Sequence, residues 1–215
     1  MNWTAGKKML VYRIAGLTAL LGDATMATYL ALTLEYLQHF REIGSLVPDS
    51  RSCCRTLLKG VPFASARIIY EYGAGSGRLT REILRRLRPG GILVAFEKNR
   101  NLYRKLAGDF REENFFLVNT DLLSGEPLVL PEGVFGPADC IVSTLPCSSL
   151  DFDRLIREAV IPRLVPGTGV FVQYAHTLSA LKGFKARKVL DRYFREVRSS
   201  LSLLNLPPAV IYTCR

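Results

Sequence analysis

From residue 67 onward, short apolar runs alternate with segments whose apolar residues recur at helical spacing. The runs are rich in β-branched and aromatic residues and stop at glycine, proline or a charge, which is typical of buried strands. The pattern predicts strands at 67–72, 91–97, 114–119, 138–145 and 168–175, and helices at 51–59, 77–88, 99–111, 150–164 and 180–193. Strands alternating with helices predict an α/β fold with a parallel sheet and right-handed crossovers.

The alternation stops near residue 195. Two strand-like runs, Glu196–Leu204 and Ala209–Cys214, follow each other with Pro207 and Pro208 between them and no helix. Strands joined without a crossover helix pair antiparallel. The sequence therefore predicts a seven-stranded, mostly parallel sheet with an antiparallel C-terminal edge.

Residues 1–44 have a different pattern. Ile14–Leu34 carries a single charge, Asp23, and approaches the ~20 residues of a membrane span, but a central Asp costs about 2.5–3.5 kcal/mol on insertion, which disfavours spanning. A helical extension broken near Gly22 fits better, and its apolar stripe suits either packing on the domain or an interfacial helix among lipid headgroups. Preceding lysines favour the membrane, so we predict a membrane-interfacial extension at 1–44 and a separate α/β domain at 45–215. The stripe is Met26, Leu30, Thr33, Leu37 and Phe40.

The chain is strongly basic, with a formal net charge of +10 and a pI of about 9.6. Such a charge indicates a polyanionic partner, either nucleic acid or an anionic membrane. Two predicted helical regions, 78–88 and 185–198, are especially rich in Arg and Lys. The five cysteines have no C-x-x-C spacing and there are only two histidines, so no metal site is predicted, and the thiols fit a reducing cytoplasm.

A glycine-rich turn follows the first strand of the domain. Glu71 is the last residue but one of that strand, and Gly73, Gly75 and Gly77 precede a helix, so the backbone leaves the strand through a turn with few Cβ atoms in the way. The spacing G-x-G-x-G differs from the G-x-G-x-x-G that binds a pyrophosphate. It favours a nucleoside-like ligand without a phosphate.

Acidic residues follow the next two strands. Glu97 lies 20 positions after Gly77, where a carboxylate can accept hydrogen bonds from both ribose hydroxyls. Asp121 and Leu122 follow the third strand, where an acid beside an apolar residue suits an adenine amino group and ring. Lys98 adjoins Glu97 and is included in the same predicted cofactor site.

These residues resemble the class I S-adenosylmethionine-dependent methyltransferases, and the resemblance implies a Rossmann-like fold and S-adenosyl-L-methionine as cofactor. Other segments are similar to the bacterial phospholipid N-methyltransferases, that is, the phosphatidylethanolamine N-methyltransferase family. These segments are Phe40–Arg51, Ser143–Pro146, Val172–Tyr174 and Asn205–Ala209. The resemblance implies N-methylation of an aminolipid headgroup by a cytoplasmic, peripheral membrane protein.

The predicted acceptor site lies after the fourth and fifth strands. Tyr174 offers a ring face to an ammonium group, and His176 suits removal of a proton or contact with a phosphate. By resemblance Ser143, Leu145, Pro146 and Gln173 would bind the substrate. A core position for Tyr174 and an ordinary polar role for His176 remain alternatives.

Two other functions stay open. The first is a nucleic-acid adenine methyltransferase, a class that shares the cofactor fold and whose substrate would also explain the basic charge of this chain. Those enzymes place an aromatic residue after Leu-Pro or Pro-Pro to stack on the base, and here Cys147 occupies that position. Nucleic acid is therefore the less favoured partner. A non-catalytic module that binds S-adenosylmethionine and docks on membranes fits the same sequence.

Overall fold

The computed structural model describes residues 51–147, 150–176, 180–202 and 209–215. The predicted N-terminal extension, the boundary after residue 44, the segment 40–50 and residues 205–208 lie outside the described residues. Among the residues that are described, no helix has the length and apolarity to cross a membrane.

The described strands form a single mixed sheet. They are β1 (Ile68–Tyr72), β2 (Ile92–Phe96), β3 (Phe115–Val118), β4 (Cys140–Ser143), β5 (Val170–His176), β6 (Val197–Ser202) and β7 (Ala209–Cys214). Their order across the sheet is β3-β2-β1-β4-β5-β7-β6. Strands β1 to β5 are parallel, and β7 runs antiparallel to both of its neighbours, β5 and β6. The predicted fold class is confirmed, with each strand within two residues of its predicted ends.

Helices cover both faces of the sheet. They are α1 (Arg51–Leu58), α2 (Arg78–Leu84), α3 (Arg100–Asp109), α4 (Phe152–Arg154) and α5 (Ala180–Tyr193). One core cluster joins α1 and α2 to the sheet through Leu57, Leu79 and Ile69, and the other joins α5 through Leu190 and Phe171. We call these the α2 face and the α5 face. Because both faces are covered, the strands read as continuous apolar runs.

The helix predicted at 150–164 is present but irregular. After α4 the chain continues as a π-helix (Leu155–Val160) and a 3₁₀ turn (Ile161–Arg163). Pro162 has no N–H and its ring crowds the carbonyl four residues earlier, that of Glu158. The Arg163 guanidinium donates to that carbonyl instead, at 2.6 Å. The proline therefore explains why a regular α-helix does not continue to residue 164.

The register decides which strand-end side chains share a face. Glu71 pairs with Ala95 on β2 and Val142 on β4, whereas Tyr72 pairs with Phe96 and Ser143. Since neighbours along a strand point to opposite faces, Glu71 lies on the α2 face and Ser143 on the α5 face. Residues of β5 divide in the same way, with Gln173 on the α5 face and Tyr174 on the α2 face.

Candidate functional site

The glycine turn between β1 and α2 needs residues without side chains. Gly73, Gly75 and Gly77 have φ angles of 82°, 56° and 78°. A Cβ on Gly77 would lie 2.5 Å from Leu106 Cδ2 and 2.7 Å from Phe110 Cε2, so the third glycine also allows α3 to pack closely. The turn is thus fixed both by backbone conformation and by its neighbours.

Hydrogen bonds attach the start of this turn to the two adjacent strands. The Gly73 N–H donates to the Phe96 carbonyl at 2.9 Å, and the Thr144 hydroxyl donates to the Gly73 carbonyl at 2.8 Å. On the same side, Leu145 Cδ2 is 3.0 Å from the position a Gly73 Cβ would take. The turn predicted to hold the cofactor is therefore in direct contact with the loop predicted to hold the acceptor.

Glu97 connects the glycine turn to the start of α3. Its Oε2 accepts from the Gly75 N–H at 2.9 Å, and its Oε1 accepts from the Asn99 N–H at 2.8 Å. Each carboxylate oxygen can accept a second hydrogen bond. The two backbone N–H groups therefore hold both carboxylate oxygens in fixed directions, and each oxygen can still accept one hydrogen bond from a ribose hydroxyl.

The other predicted cofactor residues lie next to Glu97. Asp121 Oδ1 accepts from the Leu123 N–H at 3.0 Å, and its Oδ2 lies 3.8 Å from Lys98 Nζ, with both side chains well exposed. Leu122 is half-buried and packs against the core cluster of the α5 face. The structure therefore brings Lys98, Asp121 and Leu122 to the carboxyl edge of β2 and β3, beside Glu97.

Glu71 is buried completely and lies on the α2 face, just before the turn. Neither of its carboxyl oxygens has a hydrogen-bond partner within the described chain, and the same holds for the buried Thr80 hydroxyl. Burial raises the pKa of Glu71 to about 8, with a smaller contribution from the negative charge of Glu97, while the nearby Thr80 hydroxyl lowers it. Glu71 is the ionisable group at the site whose protonation is most perturbed.

The predicted substrate-binding residues have two kinds of environment. Leu145 and Pro146 are partly exposed after β4. Ser143 and Gln173 are fully buried: the Ser143 hydroxyl accepts from the Leu145 N–H at 3.3 Å, and Gln173 Nε2 donates to the Leu145 carbonyl at 2.9 Å. In this structure Ser143 and Gln173 shape the loop, and Leu145 and Pro146 form its surface.

Tyr174 lies in the core of the α2 face. Only 2% of its surface is exposed, and it packs in the cluster that includes Cys53 and Leu57 of α1. This placement matches the core alternative rather than an open ring that receives an ammonium. His176 is the last residue of β5 and pairs with Ala209 on β7, which puts its backbone at the carboxyl edge. The catalytic assignments of both residues stay predictions.

The two basic helical regions lie on opposite sides of the sheet, because α2 and α5 cover different faces. Some of their charges are neutralised locally, as in the pairs of Arg86 with Glu82 and Arg187 with Asp191. A single flat surface cannot cover both helices at once. Any membrane contact that involves both must therefore use an edge of the sheet.

Sequence reasoning missed three polar residues that support the site. They are Thr80, which faces Glu71; Asn119, whose Nδ2 donates to the Glu97 carbonyl at 2.7 Å; and Thr144, which holds Gly73. Asn119 and Thr144 each directly follow a strand. Polar side chains at the carboxyl ends of parallel strands are the signal that could have identified these two.

A comparison with protein-family models gave no match. Among curated proteins, the chain is similar to an ornithine lipid N-methyltransferase of Singulisphaera acidiphila, with 29% identity over 188 residues, covering 84% of this chain and 92% of the relative. This similarity extends over nearly the whole relative.

Several solved structures that share this architecture are methyltransferases. Precorrin-6y C5,15-methyltransferase of Geobacter metallireducens superposes with a TM-score of 0.59 at 23% identity, covering 80% of this chain and 90% of that one. Human methyltransferase-like protein 13, solved in complex with SAH, gives a TM-score of 0.61 at 13% identity, covering 77% and 82%. The chain has the class I methyltransferase fold. The resemblance drawn from the glycine turn and strand-end acids is thereby confirmed.

Proposed function

We propose that this protein is an S-adenosylmethionine-dependent N-methyltransferase that methylates the amino headgroup of a membrane aminolipid. The observation that carries the cofactor assignment is Glu97, whose two oxygens are oriented by the Gly75 and Asn99 N–H groups beside the glycine turn. A carboxylate held in this way suits the two hydroxyls of a ribose. The methyltransferase fold and the SAH-bound structural relative support the same assignment.

The acceptor class is supported by the curated relative, whose name specifies an ornithine lipid. Ornithine lipids and phosphatidylethanolamine share a primary amine close to an anionic group. We propose an acceptor of this kind, with phosphatidylethanolamine and its methylated forms as one candidate and ornithine lipid as the other.

The transfer needs a neutral amine in line with the methyl group. When bound, S-adenosylmethionine supplies an activated methyl on its sulfonium. The acceptor nitrogen must lose a proton before its lone pair can attack, and orientation at the site contributes much of the acceleration. We propose that His176 receives this proton and that Leu145 and Pro146 contact the headgroup. Replacing His176 with Gln should lower turnover and alter the acidic limb of the pH–rate profile while cofactor affinity stays the same.

Binding to an anionic membrane surface is part of the proposal. Lys185, Lys188 and Arg195 are exposed and have no acidic partner among the described residues, so their charge is available to lipid headgroups. Each basic residue near such a surface contributes about 1 kcal/mol, and salt weakens the attraction because exposed charges are screened within about 10 Å at 0.1 M. The protein should therefore cosediment with anionic vesicles more than with neutral ones, and less at high salt.

A methyl-transfer assay tests the function directly. Purified protein and methyl-labelled S-adenosylmethionine are incubated with vesicles that contain phosphatidylethanolamine, vesicles that contain ornithine lipid, or RNA, and the products are identified by mass spectrometry. We expect label in one of the two lipids. Glu97→Ala should bind the cofactor ~1.5–3 kcal/mol more weakly because it loses charge-assisted hydrogen bonds, whereas the exposed control Glu112→Ala should not change. Label in RNA alone would replace this function with adenine methylation, and cofactor binding without any transfer would indicate a docking module.

A further inference from the structure

The large apolar side chains that are well exposed in the described part of the chain all lie over one face of the sheet. They are Val129 (78%), Phe135 (82%), Ile161 (39%) and Leu201 (62%). Leu201 points to the α5 face because it lies four residues after Val197 on β6, and Val197 packs against the core of that face. Single exposed apolar residues are ordinary, whereas several on one face of the described chain and none on the other indicate an interaction surface.

The first three of these side chains surround one groove of about 480 Å³. The apolar residues and the glycine that line it are Leu128, Leu130, Gly136, Leu164 and Ile161 itself. Val129 stands between two lining leucines that pack against the core of the α5 face, so its own side chain points outward. Phe135 points outward in the same way, between the buried Val134 and the lining Gly136. An apolar groove on the α5 face thus has protruding apolar side chains at its rim.

The lining of the groove suits hydrocarbon better than a polypeptide. Among the described residues that line it there is one cation, Arg163, and no acid. Pro137, Pro162 and Pro166 also line it, and a proline has no N–H to donate. The carbonyl groups of a peptide in the groove would therefore find few backbone donors, whereas an acyl chain needs none.

The helix that covers the same face adds positive charge. Lys185 and Lys188 of α5 are exposed and have no acidic partner within the described ranges. Three acids on the helical segments of this face are already paired with arginine, in the pairs Asp153–Arg192, Glu158–Arg154 and Asp191–Arg187. The helical part of the face is left with positive charge, which complements an anionic lipid surface.

The loop proposed to contact the acceptor belongs to this face as well. Leu145 and Cys147 pack against the core of the α5 face, and Gln173 of the same face donates to the Leu145 carbonyl. A membrane that lies against the α5 face therefore lies beside the loop that would receive a lipid headgroup.

We infer that the protein docks on an anionic membrane through the α5 face, with Val129 and Phe135 inserted among the lipids and Lys185 and Lys188 against their headgroups. The inference rests on the proposed function and adds which surface the membrane contacts. The groove holds part of an acyl chain. Leu201 lies on the edge strand β6, so the contacts spread widely over the face, as they do on a membrane. Peripheral proteins gain affinity both from buried apolar area and from attraction to anionic lipids.

Binding to vesicles of phosphatidylcholine and phosphatidylglycerol tests this surface with two matched pairs of variants. Phe135→Ser should weaken binding about tenfold, because burial of a Phe side chain contributes at least this factor. Glu132→Gln, exposed on the same loop, removes no apolar surface and should bind at least as tightly as wild type. Lys188→Gln should weaken binding about fivefold. Lys105→Gln should have no effect, because Lys105 is exposed on α3, which packs on the α2 face through Leu106 and Ala95.

An introduced tryptophan tests insertion directly. Phe135→Trp should keep vesicle binding, and its fluorescence should be quenched by lipids with brominated acyl chains beyond the level of the wild type, whose single tryptophan is Trp3. Tyr103→Trp on α3 should show no such increase. All these positions are at the surface, so each variant is first checked for a wild-type melting temperature.

The outcomes separate this inference from the proposed function. Wild-type vesicle binding by both Phe135→Ser and Lys188→Gln would overturn the inference, and a loss in Lys105→Gln would assign the membrane to the α2 face instead. Conversion of a lipid-free dimer to a monomer by Phe135→Ser, at unchanged vesicle binding, would overturn it in favour of contact between two copies. No vesicle binding by the wild type would overturn it and leave the groove to a protein partner. In each case methyl transfer to dispersed lipid by the wild type would keep the proposed function intact, whereas vesicle binding as expected without any transfer would overturn that function alone.

Discussion

Glu71 should make the stability of the ligand-free protein depend on pH in an unusual direction. Its pKa is 4.5 in an unperturbed chain and about 8 in the folded protein, because burial disfavours the charged form. Between these values the folded state binds more protons than the unfolded state. The free energy of unfolding of the wild type should therefore fall as pH rises through this range, whereas most acids have the opposite effect.

The magnitude follows from the shift. One pKa unit corresponds to about 1.36 kcal/mol, so Glu71 should remove about 1.4 kcal/mol per pH unit and about 5 kcal/mol in all between pH 4.5 and 8. Glu71→Gln keeps the shape of the side chain and cannot ionise. Relative to wild type, the variant should become steadily more stable up to pH 8, and the difference should then level off.

Urea denaturation at unit pH intervals from 5 to 9 checks this expectation. Other titrating groups are common to both proteins, so the difference between the two unfolding free energies isolates Glu71. The unpaired amide of the variant adds a penalty that does not vary with pH. A difference that stays constant from pH 5 to pH 8 would refute the reasoning, because it would mean that Glu71 has the same protonation in the folded and unfolded states. A cationic partner already in place would also keep the difference constant over this range, because it would hold the pKa of Glu71 below its value in the unfolded chain.

Three further substitutions test the architecture of the site. Gly77→Ala places a Cβ 2.5 Å from Leu106 at a φ of 78°, and it should destabilise the protein by more than the ~1–2 kcal/mol that the positive φ costs alone. Gly90→Ala is the control for that cost, because Gly90 has a φ of 72° with open space around it. Equal losses of stability in the two variants would disprove the close contact at Gly77. Thr144→Val removes the donor to the Gly73 carbonyl and should reduce the free energy of unfolding by about 1–3 kcal/mol, whereas Thr144→Ser keeps the donor and should retain most of the wild-type stability. Identical melting curves for Thr144→Val and the wild type would show that this hydrogen bond contributes nothing. Tyr174→Phe should preserve turnover within a few-fold because the ring is a core residue, and a large loss of turnover at unchanged melting temperature would instead support a catalytic hydroxyl.

The sheet could be predicted from sequence because each strand is a compact apolar run bounded by a clear break, such as the Pro89–Gly91 turn before β2. The cofactor edge was predictable for a related reason. Parallel strands bring their carboxyl ends to one edge, so Glu71, Glu97 and Asp121 had to approach one another once the strands were identified.

The acceptor side was harder to predict. Gln173 and Tyr174 are adjacent and therefore point to opposite faces, and since helices cover both faces, apolar patterning cannot tell which of the two residues lies nearer the site. The π-helix after α4 was missed because it is defined by backbone hydrogen bonds such as that from the Ile161 N–H to the Ile156 carbonyl. Such local hydrogen bonding leaves no periodic signal in the sequence.

The position of β7 between β5 and β6 has a consequence for synthesis of the chain. A ribosome produces β6 before β7, yet β6 pairs only with β7 in the described sheet and cannot join it until β7 lies against β5. A nascent chain that has emerged only as far as Ser202 would thus expose the β5 edge, with its unpaired N–H and C=O groups, together with a detached strand. Unpaired edges of this kind promote aggregation. Completion of the sheet, including the edge at which His176 ends β5, therefore has to follow synthesis of Ala209–Cys214.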